Sequence, residues 1–440
     1  MKVLFQLILA LLLTTPAFSQ TKERPYLKAA LQTESWIDSK RVDTKTGCRW
    51  VIEKPDSVEM DTLFIYHGNS GVVLFYLELY NTTKDKRFLD KASKGMDYVL
   101  NAIPDTVHDE WSVGYYIGWS GVAYTMIKMY KATNNEKYLA GAKQCIDIVE
   151  KKSKRKGDGI VWDGLADMLY GSAGIGLVLL DMEKELSYPK AKELAIATGN
   201  GVIQQAIHDK KGYKWVMQPK DTADNLYMPN FSHGTAGDCY FLLRLYEETK
   251  DKKYLDAAMK GVEHLESVTN DKGLIYHDTK KGLELYYLGF CHGPVGTSRV
   301  YYQLYKQTKE QKWLDKIRLS STTAMTCGLP DTLQPGFWNN ISQCCGSAGL
   351  AQYYLDLYKI FNDKKYLAFS KKVTENLLSR ATTDNTGMKW TQAEQRKIPK
   401  QLIAQTGYAQ GAAGVGMWLL HLDAYENGIS PAIKLPDIPY

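Results

Sequence analysis

Beyond its first twenty residues this 440-residue chain has no long apolar run, which excludes a later membrane-spanning helix. The one such run, Val3 to Leu13, follows Lys2 and precedes Thr14 to Pro16 and the small-residue sequence Ala17-Phe18-Ser19. It is too short for a stop-transfer helix and has the layout of a signal peptide (residues 1–19) cut after Ser19. A soluble periplasmic or secreted protein of residues 20–440 is therefore expected, with no membrane span. No cysteine lies near that cleavage site, so nothing supports a lipid anchor. A basic block is also lacking: the net charge of +6 is spread along the chain, and no nucleic-acid partner is expected. An even set of cysteines is missing too. Seven at irregular spacing cannot all pair within the chain, which excludes a complete disulfide framework. Cys48, Cys145, Cys239 and Cys327 sit in ordinary loop or helix contexts and read as small buried hydrophobes or one incidental disulfide.

What is present is a repeat. Glycine pairs of the form G-x-x-G recur at Gly68-Gly71, Gly118-Gly121, Gly171-Gly174, Gly234-Gly237, Gly293-Gly296, Gly346-Gly349 and Gly411-Gly414. The seven copies are 50 to 65 residues apart. One such motif carries no information, but seven in phase mark a repeat architecture and make the mature chain one unit rather than two or three domains. An apolar stretch follows each copy, such as Val72 to Tyr80, then a polar turn such as Lys84 to Arg87, then a second segment opening Phe88-Leu89. In that second segment Phe88, Leu89, Ala92, Met96, Val99 and Leu100 form one helical stripe, so it has a wet face. The first segment is apolar nearly all round and must be buried.

Buried inner helices alternating with half-wet outer ones predict an all-α fold, an (α/α) toroid of seven helical hairpins in two concentric rings. Short aromatic segments around Trp162, Trp215, Tyr276, Trp338 and Trp390 read as small β-hairpin loops at the rim. The seventh inner helix lacks a successor, and Pro25 to Arg41 has the pattern to close the ring as its partner. Polar end caps of an open solenoid are not visible, and a monomer is expected. The first glycine of each copy is expected to take a positive φ, and the helix N-termini to offer free N–H groups to anions at one common opening.

Metal-type ligands cluster in three neighbouring copies: His233 in the fourth, Cys291 and His292 in the fifth, Cys344 and Cys345 in the sixth. A catalytic zinc takes three protein ligands and keeps one open position, and Cys291, Cys344 and Cys345 fill three. Taken singly, each is a buried thiol, and Cys344-Cys345 also admits a vicinal disulfide. Their equivalent placement in adjacent repeats favours one Zn2+ per chain.

With these motifs in place the sequence resembles the lanthionine synthetase C-like proteins, bacterial lanthipeptide cyclases and their relatives, over nearly the whole mature chain. The resemblance implies an α-toroid with one zinc at the rim, held by the cysteine of a W-C-x-G motif and the Cys-His pair of a later C-H-G motif. Phe290-Cys291-His292-Gly293 is similar to the first and Cys344-Cys345-Gly346 to the second, with Cys345 where the family has histidine. His292 is an alternative ligand, one residue along. The resemblance also implies a general acid or base at His233, in Ser232-His233-Gly234, and a catalytic aspartate at Asp167, four residues before Gly171. Read without the family, His233 caps a helix or braces a loop, and Asp167 caps a helix. The family's cyclases often carry an arginine four residues before the first zinc cysteine; here that residue is Tyr287. The export signal is a further departure.

What the resemblance implies is a lanthionine cyclase-like enzyme. A substrate thiolate adds to a dehydroalanine or dehydrobutyrine, so the partner is a peptide or small molecule bearing a thiol and a Michael acceptor. Two other readings remain open at this point. A secreted carbohydrate-active toroid would use paired carboxylates among Asp109, Glu110, Asp163 and Asp167, and a zinc-stabilised peptide- or sugar-binding protein would use none.

Overall fold

Every inner helix starts at a G-x-x-G junction and ends on a left-handed residue, which fixes both its length and the direction of the chain beyond it. The inner helices are α2 (Asn69–Thr83), α4 (Trp119–Thr133), α6 (Ser172–Leu186), α9 (Thr235–Thr249), α11 (Pro294–Thr308), α13 (Ser347–Phe361) and α15 (Ala412–Asn427). The outer helices are α1 (Pro25–Ser39), α3 (Lys86–Leu100), α5 (Glu136–Lys152), α7 (Pro189–Gln205), α10 (Lys252–Ser267), α12 (Gln311–Thr326) and α14 (Lys364–Ser379). A short helix α8 (Pro219–Ala223) lies in a rim loop. This computed structural model describes residues 23–52, 63–279 and 284–440; the stretch read as a signal peptide lies outside them.

Lys84, Asn134, Ser187, Lys250, Lys309 and Asn362 hold φ of 50° to 59° at the ends of the first six inner helices. The next residue leads into the outer helix, with Asp85, Asn135, Asp251 and Asp363 accepting a backbone N–H of its first turn. A left-handed residue followed by an Asx cap turns the chain back in two residues. Each inner helix packs on both inner neighbours, and α15 returns to α2, so the ring is closed. As the sequence indicates, α1 is the missing outer partner: it packs on α15, and Arg24 pairs with Asp423.

Small antiparallel hairpins stitch the outer ring. Strands β1 (Arg41–Thr44) and β2 (Gly47–Trp50) pack on α3. Strands β3 (Lys154–Lys156) and β4 (Gly159–Val161) pack on α7, and β5 (Ile207–Asp209) and β6 (Gly212–Lys214) on α10. A two-residue parallel pair, β7 (Tyr286–Tyr287) with β8 (Phe337–Trp338), serves the fifth and sixth repeats. Strands β9 (Thr382–Asp384) and β10 (Gly387–Lys389) pack back on α1. A last hairpin, β11 (Gln392–Ala393) and β12 (Leu402–Ile403), reaches over the rim. Trp162, Trp215 and Trp390 are buried and donate Nε1–H to the carbonyls of Val149, Val202 and Leu377, each thirteen residues earlier, so these three aromatics anchor hairpins to helix ends.

Two expectations about the junctions are corrected. Of the seven first glycines only Gly118 has a positive φ, at 153°, while the other six are extended. The firmer requirement is on the second glycine. A Cβ at Gly71, Gly121, Gly174, Gly237, Gly296, Gly349 or Gly414 would overlap the carbonyl oxygen of the residue six positions earlier. The loop before each helix folds that tightly over its first turn. Nor are the first-turn amides free: Ser70, Ser120, Ala173, Ala236, Ala348 and Ala413 each donate to the carbonyl seven residues back. The helix ends therefore offer fewer free N–H donors to the opening than expected.

The chain's last residues run into the interior of the ring. Asp437 is fully buried, pairs with Arg299 and accepts the hydroxyls of Tyr115 at 3.2 Å and Tyr116 at 3.0 Å. Among the described residues no helix is long and apolar enough to cross a membrane.

Candidate metal centre

The loops entering the seven junctions are tied to one another by backbone hydrogen bonds that run right around the rim. Tyr66 donates to Tyr116, Tyr116 to Leu169, Met168 to Ser232, Ser232 to Cys291, Phe290 to Cys344, Cys344 to Ala409, and Ala409 back to Tyr66, at 2.8 to 3.1 Å. The residues just before each first glycine are thereby brought to one opening. That register is why cysteines 54 residues apart meet.

Cys291, Cys344 and Cys345 are all buried, with their sulfurs within 4.8 Å of one another. Cys291 Sγ lies 2.7 Å from Cys345 Sγ, and Cys345 Sγ lies 3.6 Å from Cys344 Sγ. Tyr66 donates its hydroxyl to Cys344 Sγ at 3.4 Å, and Gln410 donates to Tyr66 at 2.9 Å. Hydrogen bonds from Cys291 and Cys345 hold the Cys344 thiol well below its ordinary pKa, while burial pushes Cys291 well above. Three converging sulfurs fit the donor set of zinc with one position left open. Among the described residues this is the sole cluster of three metal-type side chains close enough to share an ion.

A cavity of about 300 Å³ opens onto the cluster. His233 lines it, its Nδ1 2.7 Å from Oδ2 of the fully buried Asp167, whose Oδ1 also accepts Tyr170 N–H at 2.9 Å. Asp167 thus both braces its loop and orients a histidine. His292 lies beside the cluster rather than in it, its ring 4.3 Å from His277 and 5.5 Å from His233. Burial, followed by the proximity of His277 and His233, holds His292 well below the usual histidine pKa. Tyr287 lines the same cavity, and burial pushes its hydroxyl up to about 12.

Several cavity residues carry no periodic signal in the sequence. His277 bonds Asp278 at 2.6 Å, and both line the opening from the loop before β7. Glu394 and Arg396 reach in from the loop between β11 and β12. Glu394 is held by His67 Nε2 at 2.8 Å and by Gln405 at 2.6 Å. His67 is the one of these that sequence could have flagged, since it precedes the first motif glycine as His233 precedes the fourth.

Of the carboxylates considered for glycosidic cleavage, Asp109, Asp163 and Asp167 do not assemble, and the side chain of Glu110 lies outside those described. Asp109 caps a one-turn helix by accepting Trp111 and Ser112 N–H, Asp163 pairs with Lys154, and Asp167 is taken by His233. All seven cysteines are free thiols, and Cys48, Cys145, Cys239 and Cys327 are buried away from the cluster.

Comparison with known proteins agrees with this geometry. The family model described as lanthionine synthetase C-like protein matches residues 59–435. Among solved structures, nisin cyclase is similar at 17% identity and a TM-score of 0.64, covering 84% of this chain and 90% of that one. The Lin0763 protein from Listeria innocua is 16% identical with a TM-score of 0.52, over 91% of this chain and 97% of its own. An inactive variant of the α-1,6-mannanase GH76A of Salegentibacter, in complex with α-1,6-mannotetrose, is 14% identical with a TM-score of 0.50, over 91% and 99%. At these identities the structural likeness speaks for the toroid alone.

Proposed function

This chain belongs to the lanthionine synthetase C-like family, and we propose that it is a zinc-dependent thioether-forming enzyme that adds a thiol to the β-carbon of a dehydroamino acid. The observation that carries this reading is the meeting of three cysteine sulfurs and the His233–Asp167 pair in one cavity. Cys291, Cys344 and Cys345 would hold the metal. Zinc bound there would supply a Lewis acid that keeps a substrate thiol ionised near neutral pH.

The chain's own residues handle the proton. Asp167 fixes His233 through Nδ1, which leaves Nε2 to exchange protons with the cavity. His233 takes the thiol proton and returns it to the α-carbon as the carbon–sulfur bond forms, so the addition is balanced without a further reactant. His277 and His292, both with pKa values lowered chiefly by burial, wall the cavity beside it. The signal-like pattern of residues 1–19 supports action outside the cytoplasm.

The test is incubation of zinc-loaded protein with a peptide that contains cysteine and ends in dehydroalanine, following loss of the alkylatable thiol. We expect cyclisation by the wild type and a loss of about 10²-fold or more in His233→Gln with zinc retained. Zinc-replete protein inert toward every thiol and Michael acceptor offered would refute the enzyme reading and leave a binding protein.

A further inference from the structure

The cavity is lined on most sides by groups that are neutral or anionic, and its one arginine is underused. Arg396 projects into it from the loop between β11 and β12, and Lys397 lines the same edge. The Nε of Arg396 is buried and has no hydrogen-bond partner. Its guanidinium acts on the Tyr287 hydroxyl, opposing the larger effect of burial there, and its charge bears on His277.

The carboxylates around the cavity are committed to other partners: Asp278 to His277, Asp167 to His233, and Glu394 to His67 and Gln405. Among the described residues no carboxylate lies within ion-pair distance of Arg396. A guanidinium is a planar fork of five donors, and leaving a buried donor of that fork unmet costs free energy. The group that satisfies such a fork is a carboxylate, which takes two parallel N–H bonds. The cavity, at about 300 Å³, is also at the small end of ligand sites, so its occupant is short.

We infer that Arg396 binds a carboxylate on the acceptor substrate, which makes that substrate a dehydroamino acid with a free α-carboxylate rather than one inside a chain. This rests on the thioether-forming reading of the site. Arg396 supplies from a rim loop a cation that position 287 lacks, and Tyr287 supports it.

Isothermal titration of zinc-loaded protein with N-acetyl-dehydroalanine and with its primary amide tests this directly. The acid should bind about tenfold or more tighter than the amide, the worth of one charge-assisted hydrogen bond. In Arg396→Gln that preference should vanish with zinc content and melting temperature unchanged, and Arg396→Lys should keep part of it. A tripeptide ending in dehydroalanine separates the two sources of the carboxylate: tighter binding than the small acid assigns a peptide terminus, and weaker binding a free amino acid derivative. Equal affinity for acid and amide, absence of binding by either, or a preference that survives Arg396→Gln would overturn the inference. Thioether formation from the amide at the rate of the acid would also overturn it while leaving the enzyme reading intact. Selective binding of the acid without any thioether product would do the reverse.

Discussion

At the scale of single residues, cysteine at position 345, where the family resemblance implies histidine, would set the charge of the proposed metal site. Three thiolates around a divalent ion would leave one net negative charge, weakening its pull on a bound thiol but strengthening the donor set. The cluster is built for this: Tyr66 and Gln410 reach the sulfurs with donors, and no carboxylate belongs to the group. Cys345→His should retain about one zinc per chain, since imidazole is an equally good ligand, whereas Cys345→Ala should lose most of it. Metal analysis of the purified variants checks this, and full zinc in Cys345→Ala would remove Cys345 from the ligand set. The cysteines, His233 and Asp167 are legible in the sequence because they stand at fixed offsets from the motif glycines. Glu394, His277 and Arg396 are not, because they enter from loops of unequal length that carry no period.

At the scale of elements, the alternation of buried and half-wet helices is legible because hydrophobic periodicity responds to burial, and burial is what separates the rings. The junctions differ in detail from what the motif suggests. Glycine is required at the second position by backbone contact across six residues, a contact that composition alone does not reveal. The outer helix α10 also hides a cost: His264 is buried, both ring nitrogens lack partners, and burial lowers its pKa to about 4. The folded state keeps it neutral while the unfolded chain takes up a proton near pH ~6.5. Its destabilising effect is therefore absent above about pH 6.5 and grows as pH falls toward about 4. His264→Leu should raise stability on the order of 1 kcal/mol at pH ~5 and less at pH ~7.5. Urea unfolding at the two pH values checks it, and a gain independent of pH would contradict the assignment.

At the scale of the whole molecule, the ring is closed twice, by α1 against α15 and by the circle of rim hydrogen bonds, and its interior holds the segment around Asp437. The first closure is visible in the sequence as an unpaired outer-helix pattern. The burial of the last segment is not, since nothing in Pro436-Asp437-Ile438 announces a partner at Arg299, 138 residues away. Asp437→Ala should destabilise the fold by about 3–5 kcal/mol, because it strands a buried guanidinium. The double variant Asp437→Leu with Arg299→Met should recover much of that, and chemical denaturation measures both. The cavity over the cysteines is where the chemistry is proposed. The most direct test is zinc K-edge X-ray absorption on the purified protein. The expected result is one zinc bound by three sulfurs at about 2.3 Å and one lighter atom at about 2.0 Å; a site with fewer than three sulfurs, or protein that takes up no zinc, would contradict it.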